Sequence, residues 1–416
     1  MTIAWFSPLP PSRSGIAAYS AELLPRLSGH VIDVYPEHAA HDFVWRMRRD
    51  PYDLVVYQLG NARYHDYMWA YLAAYPGLVV LHDARLHHAR ARWLLDGRRF
   101  DDYRREFRYD HPSAPADVAQ YAVEGLGGTI YYCWSMLRVV MRTARSVAIH
   151  NDRVAADLRV EFPETPIDVI RMGVPPPPAS TDARTRIRHR QAIPDDAIAF
   201  AAFGKVTAEK RIGPILKAMS ALTTEHRDVY LMLVGDADGY APLDHEIDTA
   251  GVRDRVRVIG HVDDEAIGDH LAAADACLCL RWPTAQETSA AWLRCLAADR
   301  ATVVTDLAHM VDVPADAVRR VDVWDEERSL VTAMRTLASD RTIRDRVARA
   351  GHAYWAAHHT LDAMAADYQR VLAAAASRRA PAPVDLPEHF TADYSDRAHA
   401  VARELGVTID LLTRDS

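Results

Sequence analysis

The chain has 416 residues, more than one hydrophobic core usually serves, so we expect two domains. With 49% hydrophobic and 25% charged residues, the composition is that of an ordinary globular protein and excludes a disordered one. The net charge of −8 argues against general nucleic-acid binding. No apolar run reaches the length of a membrane span, and Met1 leads directly into a strand-like run. We therefore expect neither a transmembrane segment nor a signal peptide.

The cysteines indicate the redox environment. None of them forms a CxxC pair, and all lie in apolar segments: Cys133, Cys277, Cys279 and Cys295. Disulfides are rare in the cytosol, and these positions are typical of core residues. We therefore predict reduced core cysteines and a cytoplasmic location.

The first half of the chain alternates short apolar runs with amphipathic segments. The predicted strands are Thr2–Phe6, Val31–Tyr35, Leu54–Tyr57, Leu78–Leu81, Ser146–Ile149 and Ile167–Ile170. Predicted helices cover Ile16–Leu27 and Asp66–Ala74. Strands separated by helices indicate a parallel, doubly wound sheet. A long, mostly helical insertion without a clear strand runs from Leu86 to Arg142.

Four consecutive prolines within Pro175–Ser180 interrupt the chain, and a second alternation follows. Its predicted strands are Ile198–Phe203, Val229–Val234, Val256–Ile259, Ala276–Leu280 and Thr302–Thr305, and its predicted helices are Glu209–Leu222, Asp263–Ala273 and Glu287–Ala298. Arg341–Ala376 is predicted to be helical, and a proline-rich break precedes a short, partly helical tail. We therefore predict an α/β fold of two Rossmann-like domains that face each other across a cleft.

The loop Ser7–Ala17 joins the first strand to the first helix. It has neither the GxGxxG nor the P-loop spacing, so it supports neither a dinucleotide nor an ATPase site. Gly15 lies where the helix begins, and its missing side chain would let backbone N–H groups approach an anion. A plain strand-to-helix turn is the alternative interpretation.

The corresponding loop of the second domain carries Gly204, Lys205, Lys210 and Arg211. Only three of the 49 basic residues are lysines, and all of them lie in the 13-residue window that ends at Lys217. Cations that converge where a helix begins suit a diphosphate, whose charge is otherwise costly to bury. A solvated charge run is the alternative, but the scarcity of lysine favours a site.

These loops resemble those of family 4 glycosyltransferases, which are retaining enzymes of the GT-B fold that use nucleotide sugars. The resemblance covers roughly residues 1–375 and rests on the order and spacing of weak motifs. Pro11–Ser20 resembles the family's glycine loop. Gly204…Lys210 resembles its diphosphate clamp, with Lys replacing Arg. Three further segments match motifs of the family: Met172–Val174, Val234–Asp236 and Val258–Val262. The resemblance assigns these donor-binding residues: Gly15, Ile16, Gly204, Arg211, Gly235, and, near the nucleobase, His261 and Val262. It assigns Lys205 and Lys210 to the departing diphosphate.

The resemblance also implies the division of the chain. Residues 1–178 form the acceptor-side domain, with the helical insertion at about 86–142. Residues 179–358 form the nucleotide-sugar domain. Residues 359–416 provide a helix that crosses back to the first domain, followed by the tail.

Three histidines and an aspartate lie within Leu81–His88, after the fourth strand. Their spacing is not HExxH and no cysteine is near, so we do not expect a metal site. The resemblance assigns His82 to the cleft beside the donor sugar. A neutral imidazole there could orient a hydroxyl or transfer a proton.

Glu287 lies at the start of the predicted helix that follows the fourth strand of the second domain. The resemblance implies that a Glu here binds donor-sugar hydroxyls, while backbone near Thr288 and Ser289 faces sugar and phosphate. In the preferred alignment, Cys295 replaces the family's second Glu, which holds the ribose. In the other alignment, Gln286 and Arg294 replace the two Glu residues. A simple helix-start preference for Glu287 is the third interpretation.

The sequence therefore predicts a metal-independent, retaining hexosyltransferase without a cofactor, whose co-substrate is a nucleotide diphosphate sugar. The acceptor would be a small molecule, a lipid-linked molecule or a glycan. A non-catalytic homologue that binds nucleotide or a partner protein is the alternative, and the altered second Glu motivates it. A nucleotide-sugar epimerase or a phosphorylase of the same architecture is a further, less favoured reading.

Overall fold

A computed structural model describes residues 1–225, 228–382 and 385–391, together with residue 406. These residues contain two six-stranded parallel sheets. The strands are β1 Thr2–Phe6, β2 Val31–Val34, β3 Leu54–Leu59, β4 Leu78–Leu81, β5 Ser146–Ile149, β6 Ile167–Val169, β7 Ile198–Phe203, β8 Val229–Val234, β9 Val256–Gly260, β10 Ala276–Cys279, β11 Ala301–Thr305 and β12 Arg319–Val321. The two-domain α/β architecture predicted from the sequence is confirmed.

Helices cover the faces of both sheets and form the insertion. They are α1 Gly15–Leu23, α2 Asp42–Arg49, α3 Met68–Ala74, α4 His87–Ala91, α5 Phe100–Asp110, α6 Ala116–Val123, α7 Ile130–Cys133, α8 Arg138–Thr143, α9 Asp152–Glu161, α10 Ala183–Arg190, α11 Ile212–Glu225, α12 Leu243–Ala250, α13 Asp264–Ala273, α14 Ala290–Ala297, α15 Glu326–Ser339, α16 Arg341–His358, α17 Leu361–Ser377 and α18 Glu388–Thr391. Most of the predicted tail, residues 392–405 and 407–416, lies outside the described residues. Among the described helices, none combines the length and apolar character needed to cross a membrane.

The strand order of each sheet creates one point where the direction of winding reverses. The first sheet runs β2-β1-β3-β4-β5-β6, and the second runs β12-β11-β10-β7-β8-β9. The reversal lies between β1 and β3 in the first sheet and between β10 and β7 in the second. In open parallel sheets, ligands bind beyond the carboxyl ends of the strands at this point. The loops after β7 and β10 are therefore the expected binding loops of the second sheet.

The last long helix packs on the first sheet, although it follows the second. The Tyr368 side chain of α17 is fully buried, and its hydroxyl lies 2.7 Å from that of Tyr19 in α1. Gln58 of β3 donates to the same hydroxyl at 3.1 Å. One continuous apolar cluster includes α17 together with residues of α1, β1, β3, α14 and α16. The helix α17 therefore packs in an apolar cluster that includes residues of both domains.

Two helices begin later than the sequence predicts. The helix after β7 begins at Ile212, because Arg211 has a left-handed φ of 60° that ends a preceding 3-10 turn. The helix after β10 begins at Ala290, because Gln286 has a φ of 61° and Ser289 caps the helix through its side chain. The predicted first turn is thus a 3-10 turn after β7 and a loop after β10.

Other differences are smaller. The predicted helical region 341–376 is two helices, since Thr360 caps the second one. The short strand β12 and the helix α15 were not predicted. All four cysteines are free; Cys277 and Cys295 are buried and Cys279 is part-buried, but Cys133 is exposed, so the prediction of a core position is wrong for that residue.

Candidate active site

Two glycines form the tip of the second sheet where β7 and β8 end. A Cβ on Gly235 would lie 2.3 Å from the carbonyl oxygen of Gly204, so only glycine fits this close approach. Gly204 has a φ of 87°, and a Cβ there would lie 2.7 Å from the Lys210 ammonium. The small residues thus let the loop after β7 fold the Lys210 side chain back over the strand.

Lys210 is held at the carboxyl end of β7. Its Nζ donates to the carbonyl oxygen of Phe203 at 2.5 Å. Burial, and then the nearby guanidinium of Arg281, lower the pKa of Lys210 to about 7. Lys205, in contrast, is exposed, and its side chain lies beside Gly239 in the loop after β8. The predicted clamp therefore consists of one enclosed cation and one solvated cation.

Two further cations of this region, Arg211 and Lys217, form ion pairs with α15. Arg211 pairs with Glu326 of α15 through two hydrogen bonds, one of them at 2.7 Å and the other shorter. Lys217 pairs with Glu327 on an exposed face of α11. Arg211 therefore lies directly before α11 with its guanidinium engaged by Glu326, and its predicted contact with the donor stays a prediction.

Glu287 lies in a loop that its neighbours hold firmly. Arg281 lies 2.7 Å from one carboxylate oxygen, and the Thr284 hydroxyl donates to the other at 2.9 Å. Thr284 also accepts from the backbone N–H of Gln286 at 2.9 Å, which stabilises the left-handed turn there. Arg281 therefore stands between the Lys210 ammonium and the Glu287 carboxylate. Arg281 was not predicted as a site residue, although its place two residues after β10 was a usable signal.

His82 lies on the opposite side of the cleft, at the end of β4, and is 7% exposed. Its Nε2 lies 2.8 Å from Oε1 of Gln58. Because an amide oxygen only accepts, Nε2–H donates, and Nδ1 is left as an acceptor. Burial, and then the neighbouring His150, lower the pKa of His82 well below its usual range. His82 is therefore the neutral imidazole that the sequence analysis expected.

Asp83 is a functional candidate that the sequence analysis considered only as a metal ligand. Its Oδ2 accepts from the backbone N–H of Asn61 at 2.7 Å. Burial, and then the charge of Glu287, raise the pKa of Asp83 to about 7. A carboxyl group with this pKa in a cleft is suited to accepting and releasing a proton.

The first helix of the chain borders the same place. A Cβ on Gly60 would lie 3.0 Å from the Ile16 side chain and 3.1 Å from Asp83 Oδ2. Gly15 has open space around its Cα, and Ser14 caps the helix by accepting from the N–H of Ile16. The Ile16 side chain therefore lies near His82 and Asp83, on the other side of Gly60.

A cavity of about 60 Å³ lies between β5, the start of α14 and the junction of α16 with α17. Glu287, Thr288 and Ser289 line it from the second domain. His150 and His359 line it from the other sides, and each donates through Nδ1 to a backbone carbonyl, at 2.7 and 2.8 Å. Within the described part of the chain, the Nε2 atoms of both rings have no partner. Residues of both domains therefore line the cavity next to Glu287.

Hydrogen bonds across the cleft hold these loops against each other. The N–H of Ala84 donates to the carbonyl oxygen of Ala285 at 2.9 Å, which places Asp83 near Glu287. The Tyr132 hydroxyl of the helical insertion donates to Glu209 in the loop after β7 at 3.0 Å. The two halves of the candidate site therefore touch in this structure.

The structure places the remaining predicted residues farther along the edge of the second sheet. His261 is exposed and Val262 part-buried, directly after β9. Gln286 is part-buried and does not line the cavity. Arg294, one of the two residues that could replace the family's second Glu, pairs with Glu22 of α1 at 2.7 Å. Among the described residues, no group of three or more His, Cys, Asp or Glu side chains is placed to hold a metal ion.

The second domain of this chain is similar to a known protein family. Residues 197–340 match the family described as glycosyl transferases group 1. The chain is 26% identical over 187 residues to alpha-D-kanosaminyltransferase from Streptomyces kanamyceticus, a match that covers 44% of this chain and 48% of that protein. The chain thus spans about half the length of the curated relative that it matches.

The solved structures resemble the chain over most of its length. Sucrose-phosphate synthase from Thermosynechococcus elongatus superposes on this chain with a TM-score of 0.65 at 14% sequence identity. The superposition covers 90% of this chain and 100% of the synthase chain. The Anabaena protein HepE in complex with UDP and glucose gives 0.64 at 14% identity, with coverage of 90% and 99%. These likenesses concern the fold. The chain therefore has the two-domain GT-B fold, and its second domain matches the glycosyl transferases group 1 family.

Proposed function

We propose that the protein is a glycosyltransferase that moves a sugar from a nucleotide diphosphate sugar to an acceptor. The observation that carries the proposal is the arrangement of Lys210, Arg281 and Glu287 at the reversal point of the second sheet. Lys210 lies near Arg281, Arg281 pairs with Glu287, and the charges of Glu287 and Arg281 both act on Asp83 of the first domain. A fold alone does not establish an activity, so the proposal rests on this site together with the family match.

Each group has a role in the proposed reaction. Lys210 and Arg281 stabilise the negative charge that develops on the departing nucleoside diphosphate. The first N–H groups of α14 add a positive helix end. Glu287 accepts hydrogen bonds from hydroxyls of the transferred sugar, and His82 orients a hydroxyl through its Nδ1 acceptor. Contact between the domains excludes water, which would otherwise hydrolyse the donor.

We also propose the finer assignments that the resemblance implies. They are membership of family 4, transfer of a hexose with retention of anomeric configuration, independence of metal and cofactor, and action in the cytoplasm. The charge of Lys210 and Arg281 supports a reaction without a metal. The acceptor stays open, and the helical insertion, which reaches the second domain through Tyr132, is positioned to contribute to its binding.

A donor screen tests the proposal. Thermal shift is measured with UDP, GDP, ADP and dTDP and with their sugars, starting with UDP-glucose because HepE was crystallised with UDP and glucose. A donor at 100 times its Kd adds roughly 2.7 kcal/mol of stability. Donor consumption and the anomeric configuration of the product, read by NMR with and without EDTA, then test transfer, retention and metal independence. If no nucleotide or nucleotide sugar stabilises the protein, the proposal fails.

A second candidate function is a non-catalytic homologue that binds a nucleotide. The Arg294–Glu22 pair favours it. In one alignment Arg294 replaces the Glu that binds the ribose, and in this structure Arg294 pairs instead with Glu22 of the first domain. This alternative predicts a thermal shift with nucleotides but no donor consumption with any acceptor. Slow hydrolysis of the donor alone would exclude it.

A further inference from the structure

Three of the four cysteines meet at one place beneath the candidate site. Cys277 and Cys279 alternate along β10 and therefore point to the same face of the strand, toward α14. Cys295 of α14 lies against them, and its Sγ is 3.9 Å from Sγ of Cys279. Burial, and then the adjacent Cys277 and Cys279, raise the pKa of the Cys295 thiol.

The members of this cluster differ in access. Cys277 and Cys295 are fully buried, whereas Cys279 is part-buried and lines the cavity beside Glu287. A small reagent that enters the cavity therefore reaches Cys279 first. Cys295 is then the nearest sulfur on the neighbouring helix, and a disulfide requires the two sulfurs to approach to roughly 2.05 Å.

The cluster is coupled to the predicted diphosphate clamp. The Cys279 and Cys295 side chains lie close enough to the Lys210 ammonium to raise its pKa against the effect of burial. Cys295 also belongs to the helix whose first turn follows Glu287. A disulfide between β10 and α14 would therefore shift both the Lys210 ammonium and the Glu287 carboxylate.

We propose that Cys279 and Cys295 form an oxidation site that closes to a disulfide in the presence of a peroxide. The Cys279 thiolate attacks one oxygen of hydrogen peroxide, the O–O bond breaks, and a sulfenic acid and hydroxide result. Sulfur of Cys295 then loses its proton and attacks sulfur of Cys279, so that the S–S bond forms and water leaves. Overall, two thiols and one hydrogen peroxide give one disulfide and two waters.

Counting free thiols tests the proposal independently of any activity. The full chain with Cys133→Ser is used, because Cys133 is exposed and could link two molecules. After hydrogen peroxide, the protein is denatured, treated with N-ethylmaleimide and weighed. Three adducts are expected before oxidation and one after it, with recovery to three on treatment with dithiothreitol, and peptide mapping should link Cys279 to Cys295.

Matched variants identify the pair. With Cys277→Ala added, the two remaining thiols should both disappear on oxidation. With Cys295→Ala added, Cys279 has no partner sulfur, so peroxide should give at most a sulfenic acid, no disulfide should form, and dithiothreitol should restore both adducts. A disulfide in the Cys295→Ala variant, a link to Cys277 in any variant, or three adducts throughout in the Cys133→Ser chain would overturn the proposal.

The effect on turnover rests on the proposed function. We expect oxidation to lower donor consumption about tenfold or more, dithiothreitol to restore it, and the loss to be smaller in Cys295→Ala, which cannot form the disulfide. A disulfide with unchanged turnover would overturn the expected inactivation. A chain that consumes no donor even when reduced contradicts the proposed function, while the thiol count still decides the oxidation site.

Discussion

Arg294 of α14 forms an ion pair with Glu22 of α1, with 2.7 Å between guanidinium nitrogen and carboxylate oxygen. The two residues belong to helices that flank different sheets, so the pair spans the domains. Their side chains are 15% and 24% exposed, which places the pair between a solvated and a buried ion pair. Arg294, which replaces the ribose-binding Glu in one alignment, therefore contributes to the contact between the domains in this structure.

Breaking this pair should loosen the contact between the domains. We expect a double-mutant cycle of Glu22→Ala and Arg294→Ala, followed by urea unfolding, to give a coupling free energy of about 1 kcal/mol. The exposed helical pair Arg153–Asp157 serves as the control, for which roughly 0.3–0.5 kcal/mol is expected. Equal coupling in the two cycles would contradict a special role for the domain-spanning pair.

Replacing Lys210 should affect turnover far more than folding. Lys210→Met removes a cation beside a leaving diphosphate, and we expect turnover at saturating donor to fall roughly 10²–10³-fold. Steady-state kinetics measures this loss. An unchanged turnover would show that Lys210 does not contact the diphosphate. Lys217→Met, on the exposed face of α11, is the control and should leave turnover unchanged.

The pH dependence of stability provides a second test of Lys210. Its pKa is lowered to about 7 by burial, below the roughly 10.4 of an unfolded chain. Between these values the unfolded chain binds more protons, so this group makes the protein more stable as pH rises from 7 to 10. The unfolding free energy of wild type relative to Lys210→Met should therefore increase across that window. A constant difference would contradict the lowered pKa.

The predicted strands agree with the structure because buried parallel strands are short, continuous apolar runs that the sequence shows directly. The scarcity of lysine drew attention to Lys210, and the structure places its ammonium at the carboxyl end of β7. The Arg211–Glu326 ion pair could not be predicted, because Glu326 is 115 residues away and only the packing of α15 brings it near. Asp83 was passed over as a proton-transfer candidate because its raised pKa depends on burial and on Glu287, neither of which local spacing reveals.

The raised pKa of Asp83 predicts the opposite trend in stability. Burial, and then the charge of Glu287, raise it to about 7, above the roughly 3.9 of an unfolded chain. Between these values the folded protein binds more protons, so this group makes the protein less stable as pH rises from 4 to 7. Asp83→Asn should remove that loss, and its unfolding free energy relative to wild type should increase from pH 5 to 8. Asp316→Asn, at an exposed position, should show no such trend.

Glu287 separates an enzyme from a binding protein. Its carboxylate is held by Arg281 and Thr284, so Glu287→Gln keeps the shape while it removes the charge. If Glu287 accepts hydrogen bonds from donor hydroxyls, the change should cost about 1.5–3 kcal/mol, on the order of 10–100-fold in kcat/KM. Binding of the bare nucleoside diphosphate, measured by calorimetry, should hardly change, because it lacks the sugar.

Gln286 is the matched comparison for this test, because the two alignments differ by one residue. Gln286 does not line the cavity that contains Glu287, so Gln286→Ala should have the smaller effect on kcat/KM. Abolished transfer in Gln286→Ala with normal transfer in Glu287→Gln would establish the other alignment, in which Arg294 replaces the second Glu. If neither variant differs from wild type and no donor is consumed, the nucleotide-binding homologue becomes the better description of this protein.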